Sequence, residues 1–427
     1  MFIQKKNKMS DSVYKHQGFV AFVSARLMAV LATQIQSVVV AWQVYDLTRD
    51  PMALALVGLA QFIPMLLLVL PAGDWIDRFN RKWVLGGSWL VGCACSLMLW
   101  WLAGHGESGI DGIYAVLLVY GCSRAFSAPA MQSLFPQVVG REQLPAAIAA
   151  NSMLMRGAAI GGPLIGGFLY AYGGGSATFI VCALCFGLAS SLLMRVPLLD
   201  PEGVKAAMRL ARQAKSSMVE RVQEGMRFIW RHPVVLGSIS LDLFAVLLGG
   251  VIALLPIYAQ EVLHVNASGL GILRSSMAVG EVLCGLSLST HPFNKNIGRT
   301  LFIAVTVFGV ANLVFAFSHL FLLSCAALFV AGAADMVSVY IRSSMVQLST
   351  PDNMRGRVNS VNSLFISSSN ELGEFRAGSS AAAFGVVPAA VMGGVCTLLV
   401  VGLWSKWFPS LRQANQFSDV EYRDKQS

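Results

Sequence analysis

The sequence predicts an all-α membrane protein with twelve transmembrane helices arranged as two six-helix pseudo-repeat halves. Three observations predict it: an apolar composition, basic residues confined to alternate loops, and an internal repeat. Of the 427 residues, 56% are hydrophobic and 12% are charged, and the mean hydropathy is +0.64. A soluble domain carries about 25% charged residues, so this chain requires lipid as its solvent.

Twelve apolar segments can be delimited, each long enough for the roughly 20 residues that a helix needs to cross a bilayer. They divide the chain into an N-terminal tail (1–17), a first half (18–196), a linker (197–232), a second half (233–408) and a C-terminal tail (409–427). The charged linker is expected to include an amphipathic helix lying on the anionic inner leaflet. The alternative is a plain solvated connection between the halves.

The distribution of lysine and arginine predicts the orientation. These residues concentrate in the cytoplasmic loops of membrane proteins. If the N-terminus is inside and every segment crosses, the outer loops contain a single basic residue, Arg49. Both termini are therefore expected in the cytoplasm. The formal net charge of +9 then reflects topology, and no nucleic-acid partner is expected.

The two halves resemble each other in sequence. The segment 47–54 precedes the second helix of the first half, and 263–270 occupies the same place in the second half. Three residues of the first half recur in the second at one constant spacing: Asn151, Gly162 and Gly167 match Asn362, Gly373 and Gly378. Halves that derive from one duplicated unit place a substrate site between them, near the middle of the membrane.

The loop after the second segment has the pattern G-x-x-x-D-R-x-x-R-K, formed by Gly73, Asp77, Arg78, Arg81 and Lys82. Gly73 allows neighbouring helices to approach, and Asp77 can pair with a basic residue near a helix N-terminus. The pattern resembles the loop motif of the major facilitator superfamily. That resemblance implies a latch that closes the cytoplasmic side in the outward-facing state; the alternative is an ordinary basic inside loop.

The fifth segment is rich in glycine around a proline, and its key residues are Gly157, Gly161, Gly162, Pro163, Gly166 and Gly167. Small residues permit tight helix contact, and the proline introduces a bend. The pattern is similar to an element found in exporters of the same superfamily, with Ala158 in place of the leading glycine. It favours export, and ordinary small-residue packing is the alternative.

Charged residues inside apolar segments are costly, and they face the bundle interior or a water-filled cavity. The candidates for proton coupling or substrate binding are Arg26, Arg124, Asp242, Glu281, Asp335, Glu371, Glu374 and Arg376. In the superfamily a fourth-helix arginine is tied to proton coupling, and Arg124 resembles it in position. For each candidate the alternative is a structural ion pair.

Two further segments, 225–228 and 350–359, resemble the branch of the superfamily that contains the enterobactin exporter. The resemblance implies proton antiport that exports a siderophore, a drug-like compound or a similar small amphiphilic molecule from the bacterial cytoplasm. An uptake symporter, or a lipid or metabolite transporter of the same fold, is the alternative.

Other classes of protein are disfavoured by the sequence. It contains no Gly-Lys dipeptide and hence no Walker phosphate loop. The six histidines are not spaced as a ligand cluster, so neither an enzyme nor a metal site is expected. The expectations are no cofactor, a proton gradient as energy source, a small-molecule substrate, the lipid bilayer as surroundings, a monomer, and residence in the bacterial inner membrane.

Overall fold

The structure, a computed structural model, describes residues 17–105, 109–139, 144–197 and 218–419. Within these ranges the chain contains α-helices and short 3₁₀ and π turns, and no β-strand. The N-terminal tail up to residue 16, the linker residues 198–217 and the end of the C-terminal tail, 420–427, lie outside the described residues. The predictions made for those parts stay predictions.

The first half of the described chain consists of five long helices. They are α1 (Gln17–Thr48), α2 (Pro51–Arg78), α3 (Arg81–Ala103), α4 (Ile110–Val138) and α5 (Leu144–Arg195). α5 is interrupted at Gly174, which has φ +69° and ψ −178°. Glycine alone adopts that conformation without strain. The interruption divides α5 into two membrane crossings, so this half makes six.

The second half follows a short helix, α6 (Met218–Arg231). Its helices are α7 (Pro233–Gly249), α8 (Ala267–Thr290), α9 (Ile297–Phe317), α10 (Phe321–Leu348), α11 (Asp352–Phe384) and α12 (Val386–Trp407), with a terminal turn α13 (Pro409–Gln413). Ten helical segments in the described ranges are long and apolar enough to span a membrane. Counting α5 twice and adding α11, which is more polar but 33 residues long, gives the predicted twelve crossings.

The sequence repeat has a local structural counterpart at the start of α2 and α8. Asp50 accepts a hydrogen bond from the backbone N–H of Met52 at 2.8 Å. Asn266 accepts one from the backbone N–H of Gly269 at 3.2 Å. Each side chain satisfies a donor that the first turn of a helix leaves free. The second helix of each half therefore begins with the same capping chemistry.

α7 ends in the middle of its crossing and continues irregularly. A 3₁₀ turn (Ile252–Leu254), a short helix (Leu255–Ile257) and a π turn (Tyr258–Val262) complete the span. Asn312 donates to the carbonyl of Gly249 at 3.2 Å, and Arg376 donates to the carbonyls of Leu247 at 3.3 Å and Gly250 at 3.2 Å. These side chains satisfy acceptors that a broken helix would otherwise leave unpaired inside a membrane.

α6 joins the linker to the second half. Ile229 on its apolar face is fully buried and packs in a cluster with Val235 and Val358. The Glu224 carboxylate lies 2.8 Å from a guanidinium nitrogen of Arg357 at the start of α11. Met226 and Phe228 pack against the same cluster, so the two segments that resemble the exporter branch contact each other. α6 covers only the end of the linker, and its apolar face lies against protein. The amphipathic helix on the inner leaflet stays a prediction.

Two glycines test the docking of α6 on α11. A Cβ added at Gly225 would lie 2.6 Å from the carbonyl oxygen of Arg357, whereas one added at Gly356 would meet no described atom within 4 Å. Gly225→Ala should lower the free energy of unfolding by about 1–3 kcal/mol through overpacking. Gly356→Ala is the matched control and should leave stability unchanged or slightly raised. Thermal unfolding in detergent measures both; equal effects would contradict close docking.

Candidate functional site

A cavity of about 430 Å³ lies between the two halves, a volume typical of small-molecule sites. Both halves contribute to its wall, through α1, α2 and α4 on one side and α7 to α11 on the other. Five of the eight predicted coupling or substrate residues line it: Arg124, Glu281, Asp335, Glu371 and Glu374. The duplicated architecture predicts a site in this place, and its polar lining follows from the charges that the apolar segments contain.

An ion pair crosses the cavity from one half to the other. A guanidinium nitrogen of Arg124 on α4 lies 3.1 Å from the Glu371 carboxylate on α11. A second nitrogen of Arg124 donates to Gln61 on α2 at 3.4 Å. α4 approaches α2 closely enough because residue 121 is glycine; a Cβ there would lie 2.3 Å from the carbonyl oxygen of Gln61. Arg124 is thus held on its own half and paired with the other.

A second polar contact between the halves involves Arg274 on α8. This arginine donates to the Ser37 hydroxyl on α1 at 3.0 Å and interacts electrostatically with Glu374 on α11. Glu374 in turn lies beside α2, because a Cβ added at Gly58 would be 3.8 Å from its carboxylate. Arg124 and Arg274 each face an acid of α11 across the cavity.

Glu281 on α8 and Asp335 on α10 belong to the same half and line the same cavity. They lie within electrostatic range of each other, and Glu281 also lies within range of Arg156 on α5. Arg156 itself contacts the sulfur of Met336 at 3.8 Å. The structure records no hydrogen bond or ion pair for either carboxylate among the described residues, so both keep their acceptor capacity for the cavity.

The other three predicted residues lie outside the cavity wall. Arg26 donates to Asn151 at 3.0 Å, within the first half. Arg376 binds the carbonyls at the end of α7, as described above. Asp242 on α7 forms an ion pair with Arg342 on α10, and both side chains are almost fully buried. Each of these three residues has a polar or charged partner in the structure. This is what a structural role, the alternative to proton coupling or substrate binding, predicts.

The ion pair between Asp242 and Arg342 allows a test of whether Asp242 has a structural or a functional role. Asp242→Leu should lower the free energy of unfolding by about 3–5 kcal/mol, because it leaves a buried guanidinium uncompensated. Combining it with Arg342→Met should restore most of the loss, since both charges are then absent. Thermal unfolding in detergent measures stability. A double variant that is stable yet inactive in transport would instead give Asp242 a functional role.

Sequence reasoning missed several uncharged residues of the site, and it left Arg274 out of the candidates although this arginine is recognisable as a charge within an apolar segment. Gln61, Ser37 and Asn312 line the cavity, and Arg274 forms one of the contacts between the halves. The available signal was weak: a glutamine, serine or asparagine in an apolar segment predicts an inward-facing position without identifying its partner. Only the packing of α1, α2, α8 and α9 brings these side chains to one place.

The loop motif after α2 is anchored within the first half. Asn80 caps α3 by accepting from the backbone N–H of Lys82 at 3.0 Å. The Lys82 ammonium donates to the carbonyls of Met194 at 2.8 Å and Val196 at 2.7 Å.

The other residues of the motif lie at the end of α2 and the start of α3. Gly73, Asp77 and Arg78 lie in the last turns of α2, and the side chains of Asp77 and Arg78 are outside what the structure describes. Arg81 reaches the carbonyl of Ser133 on α4 at 3.5 Å. The cytoplasmic latch stays a prediction.

The glycine–proline element of α5 contacts both halves. A Cβ added at Gly162 would lie 2.4 Å from the Gln34 side chain, and one at Gly166 would lie 3.1 Å from Ile35, both on α1. A Cβ at Gly167 would lie 2.5 Å from the carbonyl oxygen of Ala267 on α8, and one at Gly271 would meet the Pro163 carbonyl at the same distance. At Gly157 and Gly161 the added atom would meet no described atom within 4 Å.

The halves therefore meet at one end of the bundle, which we call the outer end after the predicted topology. There the Tyr45 hydroxyl of α1 donates to Glu261, and Arg49 donates to Gln260 at 2.5 Å. Gly378 of α11 also packs against Ala55 of α2.

Gly167 and Gly157 form a matched pair for testing this closure. Gly167→Ala should open the outer end, because the new Cβ collides with backbone of α8. A cysteine at Met52, which contacts Ser379 across the interface, should then react about tenfold faster with an impermeant maleimide on whole cells. The experiment uses a cysteine-free background. Gly157→Ala should leave labelling unchanged, and equal labelling in both variants would contradict the assignment.

Comparison with known proteins gives the family. A sequence profile for transmembrane secretion effectors, a family of the major facilitator superfamily, matches residues 11–425. The chain belongs to this family. It is 23% identical to the enterobactin exporter EntS of Shigella dysenteriae over 81% of this chain and 80% of that protein. It is 26% identical to the multidrug efflux pump Tap of Mycobacterium tuberculosis over 91% and 93%.

Solved structures share the fold of this secretion-effector chain. A mutant of the nucleoside transporter NupG superposes with a TM-score of 0.72 at 12% identity, covering 92% of this chain and 100% of that one. A bacterial homologue of the human lysosomal transporter Spinster, inward-facing and unoccupied, gives 0.70 at 15% identity, covering 97% and 99%. The resemblance to the superfamily and its exporter branch is confirmed, and the chain is a multi-pass transporter rather than an enzyme.

Proposed function

We propose that this chain is a secondary active exporter of the bacterial inner membrane. It moves a small amphiphilic molecule, a siderophore or a drug-like compound, out of the cytoplasm in exchange for protons, by alternating access. The observation that carries the proposal is the Arg124–Glu371 ion pair, which joins the two halves inside a cavity lined by four carboxylates.

Separating Arg124 from Glu371 costs free energy, because each charge loses its partner in a cavity wall where the two side chains are only 33% and 14% exposed. The halves separate at Arg124 only when another charge compensates it or when Glu371 is neutralised by a proton. A proton and a substrate that act on the same carboxylates are thereby coupled. This supplies a physical link between the cavity and the relative movement of the halves.

A closed outer end is expected of the inward-facing conformation in an alternating-access cycle, when the N-terminus lies in the cytoplasm. Opening to the outside requires that the contacts of α1 with the segment after α7, and of α5 with α8, separate. The glycine contacts of α5 and α8 are well suited to this role, since backbone packing without interlocking side chains can part and re-form.

Export is favoured over uptake by the relatives and by the glycine–proline element of α5. The named relatives are an enterobactin exporter and a multidrug efflux pump. The proposal includes a proton gradient as the energy source, no resident cofactor, a small-molecule substrate as the partner within the bilayer, no nucleic-acid partner, and a monomer with both termini in the cytoplasm.

The experiment begins with identification of the cargo. Mass spectrometry of the medium from strains with and without the gene shows which compound ceases to be secreted. That compound is then added to energised inverted vesicles that carry the protein and a fluorescent reporter of the pH gradient. Exchange for luminal protons predicts substrate-dependent dissipation of the gradient. Accumulation in right-side-out vesicles under an inward proton gradient would instead identify an uptake symporter.

Glu371→Gln should abolish the proton response of these vesicles, because it removes the charge that pairs with Arg124 across the halves. The expected loss in rate is at least about a hundredfold, the effect of roughly 3 kcal/mol. Glu224→Gln, an exposed position on α6, is the matched control and should retain activity. Membrane protein levels are measured by immunoblot. An unchanged response in Glu371→Gln would remove the ion pair from the mechanism.

A further inference from the structure

The charged residues of the cavity wall are unequal in number. Four acids line it, Glu281, Asp335, Glu371 and Glu374, together with two arginines, Arg124 and Arg274. With all of them ionised, the described wall carries a formal excess of two negative charges. A wall of this kind complements a positively charged occupant rather than a negative one.

The two arginines are engaged with the acids of α11. Arg124 lies 3.1 Å from Glu371, and Arg274 interacts electrostatically with Glu374 while it donates to Ser37. Both arginines therefore contact residues of the opposite half and are engaged at the junction between the halves. The uncompensated negative charge is left on the second half, at Glu281 and Asp335. Arg156, the basic residue in electrostatic range of Glu281, lies outside the cavity wall.

A further acceptor lies in the same wall. Asn312 on α9 is 1% exposed and lines the cavity. Its amide nitrogen donates to the Gly249 carbonyl, and its amide oxygen has no hydrogen-bond partner among the described residues. A buried oxygen without a donor is unfavourable, because it has lost its hydrogen bonds to water and gained none in exchange. A ligand that brings N–H groups would supply the missing donor.

Apolar and aromatic side chains stand beside these acceptors. Phe308, one turn before Asn312, packs with Ala331 and Ala334 and with Met277. Met277 is one turn from Glu281 on α8, and Ala334 immediately precedes Asp335. An aromatic ring close to carboxylates attracts cations through its π-face. A thioether adapts to irregular apolar shapes.

We infer that the cargo of this cavity is an amphiphilic organic cation, bound by the carboxylates of Glu281 and Asp335 with its apolar part on Phe308 and Met277. The inference rests on the proposed function and selects, among its cargo, the drug-like cations over anionic siderophores. Glu281 and Asp335 bind the cation, and the pairs made by Arg124 and Arg274 hold the junction that moves.

The test uses two probes of the same shape and opposite charge. Purified full-length protein in detergent at pH 8 is titrated separately with tetraphenylphosphonium and with tetraphenylborate, and the saturable binding of each is measured by calorimetry. The expected result is saturable binding of the cation and at least about tenfold weaker binding of the anion. The comparison is needed because Arg274 also has a buried Nε–H donor that finds no partner in the described part of the chain, which would favour an anion.

Four variants locate the site. Glu281→Gln and Asp335→Asn should each weaken binding of tetraphenylphosphonium by about tenfold or more, and should leave tetraphenylborate unchanged or bound more tightly. Glu224→Gln on α6 and Asp111→Asn at the exposed start of α4 are the matched controls, and both should bind the cation as the unaltered protein does. Melting temperatures confirm that all four variants are folded.

Tetraphenylborate binding as tight as that of tetraphenylphosphonium would overturn the inference. Folded Glu281→Gln and Asp335→Asn proteins with unchanged cation affinity would overturn it as well. The proposed function fails separately. Proton-driven transport of an anionic compound into inverted vesicles would support export and contradict the cationic cargo. Cation binding combined with inward transport would support the cationic cargo and contradict export.

Discussion

The Arg124–Glu371 ion pair joins the two halves at the wall of the central cavity, and the packing of the surrounding helices brings its two side chains together. α4 lies directly against α2 because residue 121 is glycine, and this places the guanidinium of Arg124 beside Gln61. α11 lies beside α2, since a Cβ added at Gly58 would be in ordinary van der Waals contact with Glu374 at 3.8 Å. An isolated arginine at this depth would be expensive. Its partner on the opposite half turns that cost into a contact that depends on the position of both halves.

The charges within the membrane fall into two groups according to whether their partners are complete. Asp242 with Arg342, Arg26 with Asn151, and Arg376 with the carbonyls of α7 are closed arrangements that stabilise the bundle. The cavity acids differ, because Glu371 is paired with Arg124 across the junction, Glu374 lies within electrostatic range of Arg274, and Glu281 and Asp335 line the cavity. Transport chemistry requires groups of the second kind, which can exchange a partner without dismantling the fold.

The site was partly predictable from the sequence. Arg124 and Glu371 could be recognised as costly charges that must face the interior. That they pair with each other could not, because they belong to different halves and meet only when α4 and α11 approach. Asp242 illustrates the same limit. It is also a charge within an apolar segment, yet the structure pairs it with Arg342 away from the cavity. Asn312 carried almost no signal, because its role depends on where α7 breaks.

The sequence alone determined the number of crossings, the predicted sidedness, the duplicated halves and the family resemblance. These properties depend on local quantities: the apolar length of each segment, the charge of each loop and the spacing of a motif. Only the tertiary structure decided which end of the bundle is closed, which glycines are packed, and which charges face the cavity. Gly157 and Gly167 read alike in the sequence, yet one faces open space and the other contacts the α8 backbone. The difference arises because contact between helices depends on their rotation and tilt, which a segment's own residues do not specify.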